Sequence, residues 1–289
     1  MNTETPEASI EVPSSQEKAV CPFSDCDIPI DVVFQSSDGV MIGGHLQLFS
    51  TYSEGFPSSD VAQAPDPNSE PVPLPGEDST TLKLLFKLMH KRRHADCHLE
   101  ARQIGEILNL AEAAEKYFVF HLMEICRFLI VVKERTWKGS TNAVKVLAYA
   151  TKNNYWDIVD TAAPGTVGCP PTEFKNLSVQ LELAWFRYRQ KWLDIAEFAL
   201  TQPQYINAKK KIHECNGSIA YFAHTFADLP RTASAALDLL VKGLLPGVYY
   251  DRHSEYIENC STCRDLVAVW KSGIRAKVAA IPTFKQFYV

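Results

Sequence analysis

Sheet-forming segments in this chain are few and all precede residue 76, and this order constrains the fold more than any other feature. Residues 32–36 and 40–42 predict two strands joined at Asp38-Gly39. That pair favours a type I′ hairpin turn, which needs positive φ at both central residues. Residues 71–75 predict a short edge strand, since proline cannot donate to a central ladder. The later chain has helical periodicity, so the predicted fold class is α+β: a small sheet with a helical cluster, followed by an all-α extension.

Amphipathic helices are predicted from residue 78 onward, where apolar residues recur at three-to-four spacing. The first is capped by Asp78 or Ser79 and turns Leu82, Leu85 and Phe86 inward. The helix predicted at residues 118–132 is apolar on most sides and is therefore expected to be buried. A linker is predicted at residues 164–171. The later predicted helices span residues 101–117, 118–132, 143–153, 157–163, 172–199, 233–242 and 263–278.

The longest predicted helix, residues 172–199, carries an apolar seam that needs a covering surface in this chain or in another one. Large aromatic residues at helical spacing are more often core than binding surface, although both interpretations stay open at this point. The seam alternates spacings of four and three residues and consists of Leu181, Trp185, Tyr188, Trp192, Ile195 and Ala199.

Composition divides the chain into three predicted regions. Residues 1–26 are rich in Glu, Ser, Thr and Pro and are expected to be a disordered tail. Residues 27–132 form the α+β head, and residues 133–289 form the helical C-terminal extension. The chain has 34 acidic and 29 basic residues and a formal net charge of −5. This balance argues against a nucleic-acid partner, which would require a concentrated basic face.

The expected location is intracellular, in either the nucleus or the cytoplasm. The first residues lack a basic segment followed by an apolar one, so no secretory signal is predicted. The longest clearly apolar run, residues 128–132, is far shorter than the roughly 20 residues that span a bilayer. No membrane partner is therefore expected. The eight cysteines are spread along the chain, which suits reduced thiols in a reducing compartment.

The order of elements, together with several specific residues, resembles the BTB/POZ domain. The resemblance covers about residues 27–132. Four further segments resemble the region behind the BTB domain in proteins of mushroom-forming fungi: residues 148–150, 157–160, 185–192 and 281–284. Within the head, the matching residues are Asp31-Val-Val-Phe34, Ser36-Ser-Asp-Gly39, His45 with Phe49, Ser53 and Phe56, and Glu106-Ile-Leu-Asn-Leu-Ala-Glu-Ala-Ala-Glu-Lys-Tyr117.

Two departures from the family pattern lie on the groove and dimer face of its best-known members. Leu46 stands where the family commonly has Lys or Arg after the histidine. Residues 57–70 are polar and rich in proline where a second short helix is usual. The corepressor and dimer contacts of the family are therefore not carried over to this chain.

The resemblance implies a protein-interaction module and no enzymatic activity. Heads of this family form homodimers, recruit cullin-type ubiquitin ligases, or recruit transcriptional regulators, so other proteins are the expected partners. The chain would then be an adaptor or a homo-oligomerisation protein. The partner-binding residues carried over by position are Asp31, His45, Phe49 and Phe56 at the interface end, and Tyr117, Phe118, Phe120 and His121 where family members meet a cullin.

Two alternatives from other functional classes remain open: a helical scaffold that uses the head to dimerise, and a zinc-dependent regulatory protein using the C-terminal cysteines. Cys260-x-x-Cys263 has the spacing of half a zinc site. A pair of thiols near the start of a helix, without a metal, is the commoner explanation of this spacing. Candidates for the missing ligands are Cys215, His213, His224 and His253.

Other metal and catalytic motifs are weaker. His90, His94 and His98 recur every four residues but are interrupted by a basic cluster, and they are not expected to share one helix. Cys21-x₄-Cys26 falls in the predicted tail. The sequence contains no G-x-G-x-x-G, G-x₄-G-K-[ST] or G-x-S-x-G motif. From sequence we therefore assign no catalytic residue, no metal ligand and no cofactor.

Overall fold

The computed structural model describes residues 19–56, 70–90, 97–203 and 215–288. The chain divides into two compact units, residues 1–129 and 130–289. Both sheet and helix are present, and all three strands lie in the first unit, so the α+β class is as predicted. Among the described helices, none is both long enough and apolar enough to cross a membrane.

The sheet of the first unit has three strands: β1 (Val32–Ser36), β2 (Met41–Gly44) and β3 (Val72–Leu74). Their order is β2-β1-β3. β1 and β2 are antiparallel with Phe34 opposite Ile42, and β3 runs parallel to β1. The proline-containing strand therefore lies at the edge, where a missing backbone N–H leaves no gap in a central ladder.

The turn between β1 and β2 differs from the predicted type I′ turn. Of the central pair, Gly39 has a φ of 79° whereas Asp38 is not in the positive-φ region. The Asp38 carboxylate instead accepts hydrogen bonds from Ser36 Oγ at 2.5 Å, Ser79 N at 2.9 Å and Ser79 Oγ at 2.7 Å. The hydrogen bond from Ser36, followed by that from Ser79, lowers the pKa of Asp38 to about 2. These contacts tie the hairpin loop to the start of a helix, which a two-residue turn would not do.

The helices of the first unit begin at well-defined caps. Asp78 accepts a hydrogen bond from Thr81 N at 2.7 Å, as predicted for an N-cap. Gln103 and Glu106 form a capping box at the start of the third helix. The helices are α1 (Leu46–Tyr52), α2 (Ser79–Leu88), α3 (Ile104–Lys116) and α4 (Phe120–Val132), with a 3₁₀ turn at Leu99–Ala101 before α3. The last three residues of α4 belong to the second unit.

An aromatic cluster fills the space between the sheet and α1–α3. Phe34 from β1 packs against Phe49, Phe56 and Phe86, with ring centroids 5.2–5.7 Å apart. Tyr117 stacks on Phe56 at 4.3 Å. All five rings are buried. Strand, helix and loop residues thus meet in one core, which fixes the loop that leads into α4.

The second unit is helical in its described part. Pro164 lies inside its third helix, which continues to Thr166, so the linker predicted at 164–171 begins three residues later than expected. Ser178 accepts a hydrogen bond from Leu181 N at 3.2 Å and starts the longest helix there, well after residue 172. The α-helices are α5 (Glu134–Trp137), α6 (Thr141–Lys152), α7 (Trp156–Thr166), α8 (Val179–Ala199), α9 (Asn216–Asp228), α10 (Ala233–Val241) and α11 (Ser261–Ala279). Shorter turns lie at Pro171–Phe174, Leu245–Tyr249, Ser254–Ile257 and Phe284–Phe287.

The apolar seam of α8 is covered by the same chain. Its six residues are all buried. Trp185 stacks on Phe174 with centroids 3.9 Å apart, and Tyr188 packs edge-on against Phe284 at 5.4 Å. Phe284 is itself 1% exposed, and its N–H donates to Asp160 Oδ1 at 3.2 Å. The seam is therefore core, and the C-terminal segment supplies part of its cover.

Candidate interaction surface and thiol clusters

The four residues predicted at the interface end of the head do not form a surface in the structure. Asp31 accepts a hydrogen bond from Leu46 N at 2.8 Å and so caps α1. Phe49 and Phe56 are 2% and 7% exposed because both belong to the aromatic cluster. His45 is 1% exposed. Asp31, Phe49 and Phe56 therefore support the fold, whereas His45 faces the cluster of thiols described below.

Tyr117, the first of the residues predicted to meet a cullin, is buried. Tyr117 donates through its hydroxyl to Glu77 Oε2 at 2.7 Å. Burial, and then this carboxylate, raise the pKa of Tyr117 well above its usual range. Lys116 Nζ also binds Glu77, at 2.7 Å. Sequence reasoning missed Glu77, because nothing in its local pattern indicates that a Tyr and a Lys about forty residues later converge on it.

Phe118 and Phe120, by contrast, face solvent. Each is 50% exposed. Phe118 has a φ of 51°, a left-handed conformation that is disfavoured for a bulky side chain. This conformation turns the chain between α3 and α4. His121 is half-buried and packs edge-on against Tyr52, with ring centroids 5.4 Å apart.

One side of α4 continues the exposed apolar surface. Ile125 is 37% exposed and Phe128 is 66% exposed. Together with Phe118 and Phe120 they form what we call the α4 apolar face. The predicted burial of this helix on most sides is therefore wrong for this face. Its opposite side packs into the unit through the buried residues Leu122, Cys126 and Leu129.

A cluster of two thiols and two imidazoles lies in the same unit. It comprises Cys21, Cys26, His45 and His90, whose sulfur and ring nitrogen atoms all lie within 4.8 Å of one another. His45 Nε2 is 3.2 Å from the sulfur of each cysteine, and His90 Nε2 is 3.5 Å from Cys21 Sγ. We call this group the Cys₂His₂ cluster. Burial raises the pKa of the Cys21 thiol to about 11, and the neighbouring Cys26 thiol adds to the effect.

Backbone carbonyls orient both histidines of this cluster. His45 Nδ1 lies 2.8 Å from Pro29 O, and His90 Nδ1 lies 2.9 Å from Phe86 O. Since a carbonyl only accepts, each Nδ1 must carry the proton. In a neutral imidazole the Nε2 lone pair is then directed toward the two sulfur atoms.

The two cysteines are held against the head by residues that were predicted to be disordered. Val20 forms a parallel bridge to Ile42 of β2, and Val20 O accepts from Gly43 N at 3.0 Å. Phe23 stacks on His90 with centroids 4.9 Å apart. Within the predicted tail 1–26, residues 19–26 thus pack on the head, and the remainder lies outside the described residues. The cluster joins residues 24 and 69 positions apart, so no local sequence pattern reveals it.

Of the three regularly spaced histidines, only His90 joins this cluster in the described part of the chain. His98 is exposed in a left-handed conformation, with its ring 3.8 Å from Glu100. It precedes the 3₁₀ turn, whereas His90 follows α2, so the two do not share a helix. His94 lies outside the described residues.

A second thiol cluster lies in the C-terminal unit. Cys215 Sγ is 3.1 Å from Cys263 Sγ, and both lie within 4.8 Å of Cys260 Sγ. Burial, followed by hydrogen bonding with the other two thiols, raises the pKa of Cys263 to about 12. We call this group the three-thiol cluster. Of the further ligands considered from sequence, His224 stacks on Tyr256, His253 Nε2 lies 3.1 Å from Asp228 Oδ2, and His213 lies outside the described residues.

Comparisons with known proteins add no relationship. No protein-family model matches the chain, and neither a curated protein nor a solved structure matches it. The α+β class and the clusters described above therefore rest on the structure, and membership of the BTB/POZ family stays a prediction from the sequence.

Proposed function

We propose that this chain is a non-enzymatic protein-interaction module that binds another polypeptide through the α4 apolar face. The observation that carries the proposal is the exposure of Phe120, Ile125 and Phe128 on one side of a helix whose other side is buried, with Phe118 exposed in the turn before it. Contiguous exposed apolar side chains on a folded unit mark interaction sites. Aromatic residues are enriched where binding energy is concentrated in such sites.

The conformation of Phe118 supports the same proposal. A φ of 51° stores strain at a bulky residue, and the surrounding core must compensate for that strain. Tyr117, which immediately precedes it, is buried and stacks on Phe56. This arrangement holds the Phe118 ring at the surface, where it extends the apolar side of α4.

Two kinds of partner suit this surface. A second copy of the chain would bring the same apolar residues to a two-fold interface, the commonest form of homo-oligomer. The alternative, which follows from the BTB/POZ resemblance, is an adaptor that links a partner to a cullin-type ubiquitin ligase or a transcriptional regulator. Phe118 and Phe120 lie where the resemblance places the cullin contact.

Sedimentation velocity of the full chain distinguishes these two forms. Phe120→Glu with Phe128→Glu places charge on the face, and Val269→Glu, at a position that is 69% exposed on α11, is the matched control. If the chain self-associates through the face, the wild type and control sediment as dimers and the double variant as a monomer. A monomeric wild type would leave only the adaptor form of the proposal. Dimers of all three proteins would exclude the α4 apolar face as the dimer interface.

A zinc-dependent regulatory protein is the second candidate function, favoured by the three-thiol cluster. Three sulfur atoms within 4.8 Å of one another could bind one thiophilic ion. Metal analysis of the full chain with Cys215→Ser tests this candidate. Loss of bound zinc relative to the wild type would support it, and an unchanged zinc content would remove it.

A further inference from the structure

The Cys₂His₂ cluster plays no part in the α4 apolar face, and its chemistry requires a separate explanation. Two half-buried cysteines and two buried histidines from three segments of the chain converge in the first unit. His45 and His90 are 1% and 6% exposed. Buried polar groups are costly unless they are satisfied, and this cost is greatest for groups that carry charge.

The distances between the ligand atoms suit a tetrahedral metal ion. Zinc binds cysteine sulfur at about 2.3 Å and histidine nitrogen at about 2.0–2.1 Å, which places sulfur and nitrogen about 3.5 Å apart at the corners of a tetrahedron. Sulfur–nitrogen distances of 3.2, 3.2 and 3.5 Å occur in the cluster. An ion at the centre needs only small side-chain adjustments.

The surroundings of the two histidines are those of metal ligands. Metal-binding imidazoles usually donate their other N–H to a carbonyl or carboxylate, which fixes the tautomer and the ring orientation. Pro29 O and Phe86 O have this role for His45 and His90. Phe23 N also donates to Cys21 Sγ at 3.4 Å, a contact that stabilises a thiolate.

We propose that Cys21, Cys26, His45 and His90 bind one Zn²⁺ in a closed, four-coordinate site. Two thiolates and two imidazoles are a ligand set that zinc favours, and two thiolates balance its charge. All four positions are occupied by protein, which is typical of a structural rather than a catalytic zinc. This site is independent of the proposed function.

The ion would attach the N-terminal segment to the head. Residues 19–28 contain no helix or strand, and a single bridge at Val20 pairs them with β2. The zinc ligands lie in this segment, just before α1 and just after α2. Binding would therefore cross-link three parts of the unit, and its free energy would contribute directly to folding.

Zinc content and X-ray absorption of the full chain test the proposal. The variant Cys260→Ser removes one thiol of the three-thiol cluster and so isolates the site in the first unit. We expect one zinc per chain in this variant, with two sulfur ligands at about 2.3 Å and two nitrogen ligands at about 2.0–2.1 Å. Folded Cys260→Ser that retains well under one equivalent of zinc would overturn the proposal.

Ligand variants identify which residues hold the ion. Cys26→Ser and His90→Ala should each lose one equivalent of zinc relative to the wild type. Cys169→Ser and the exposed His98→Ala are the matched controls and should keep it. If a ligand variant does not fold, cobalt spectroscopy of Cys260→Ser decides, since two thiolates and two imidazoles give a tetrahedral spectrum with sulfur charge-transfer bands. A three-sulfur zinc shell, or a Cys21–Cys26 disulfide in chain prepared with reductant, would contradict the site and leave the α4 proposal untouched.

Discussion

The seam of α8 and the apolar face of α4 look alike in sequence and differ in the structure. Both are sets of large apolar residues at helical spacing. Every seam residue is buried, with Trp185 against Phe174 and Tyr188 against Phe284. On α4, Phe120 and Phe128 remain 50% and 66% exposed.

The difference shows that spacing reveals an apolar side of a helix but not what covers it. Part of the cover of α8 comes from a 3₁₀ turn before the helix and from another at Phe284–Phe287. On α4, by contrast, Phe120 and Phe128 lie on the exposed side of the helix. The protein-interaction proposal rests on this contrast, and the following substitutions test it.

Trp185→Ala should have the largest effect of the substitutions considered. The indole is fully buried, stacks on Phe174 and donates through Nε1 to Thr166 Oγ1 at 3.1 Å. Its removal leaves a large cavity, so the free energy of unfolding should fall by about 3–5 kcal/mol. Equilibrium denaturation of the full chain measures this. A change below about 1 kcal/mol would mean that the seam is not core.

Tyr117→Phe should have an intermediate effect, because it removes one buried hydrogen bond and keeps the stacked ring. The Glu77 carboxylate would lose the Tyr117 hydroxyl and keep Lys116. We expect the free energy of unfolding to fall by about 1–2 kcal/mol. Tyr256→Phe, at a ring that is 39% exposed, is the control and should be nearly neutral. Equal stability of the two variants would show that the Glu77 contact is unimportant.

Asp38→Asn should reduce the acid sensitivity of the protein. The pKa of Asp38 is lowered from 3.8 to about 2 by the hydrogen bonds from Ser36 and Ser79. The unfolded chain therefore takes up this proton first, and the stabilisation is present above about pH 4 and is lost as the pH falls toward about 2. Denaturation midpoints across this range should decline less in the variant than in the wild type. Parallel declines would show that the loop contacts do not form.

Phe128→Glu should have the smallest effect on stability. Its side chain is exposed, so the free energy of unfolding should change by no more than about 0.5 kcal/mol. Val269→Glu should behave in the same way. Thermal and denaturant unfolding measure both variants. Strong destabilisation by Phe128→Glu alone would mean that the chain itself covers the α4 face.

Local features of the fold could be predicted from the sequence. The two hairpin strands, the edge strand, the Asp78 cap and the inward residues of α2 each depend on near neighbours in the chain. The turn type was wrong because Asp38 binds Ser79, about forty residues later. The predicted start of α8 is too early because the chain forms a 3₁₀ turn at Pro171–Phe174 before Ser178 caps the helix.

The sites were harder to predict, since they depend on contacts distant in sequence. Cys21 and Cys26 were assigned to a tail because nothing nearby indicates that His45 and His90 meet them. Phe49 and Phe56 were expected at a surface because the resemblance gives positions but not burial. The spacing Cys21-x₄-Cys26 alone does not indicate the cluster, because its two histidines lie far along the chain.

Quantitative co-purification is the most direct test of the α4 face. The tagged full chain, Phe128→Glu and Val269→Glu would each be expressed beside a differently tagged wild-type copy, and bound proteins measured by mass spectrometry. We expect at least one bound polypeptide, either the second copy or another protein, to fall by about tenfold or more with Phe128→Glu and to stay unchanged with Val269→Glu. The same bound proteins in equal amounts for all three chains would contradict the account.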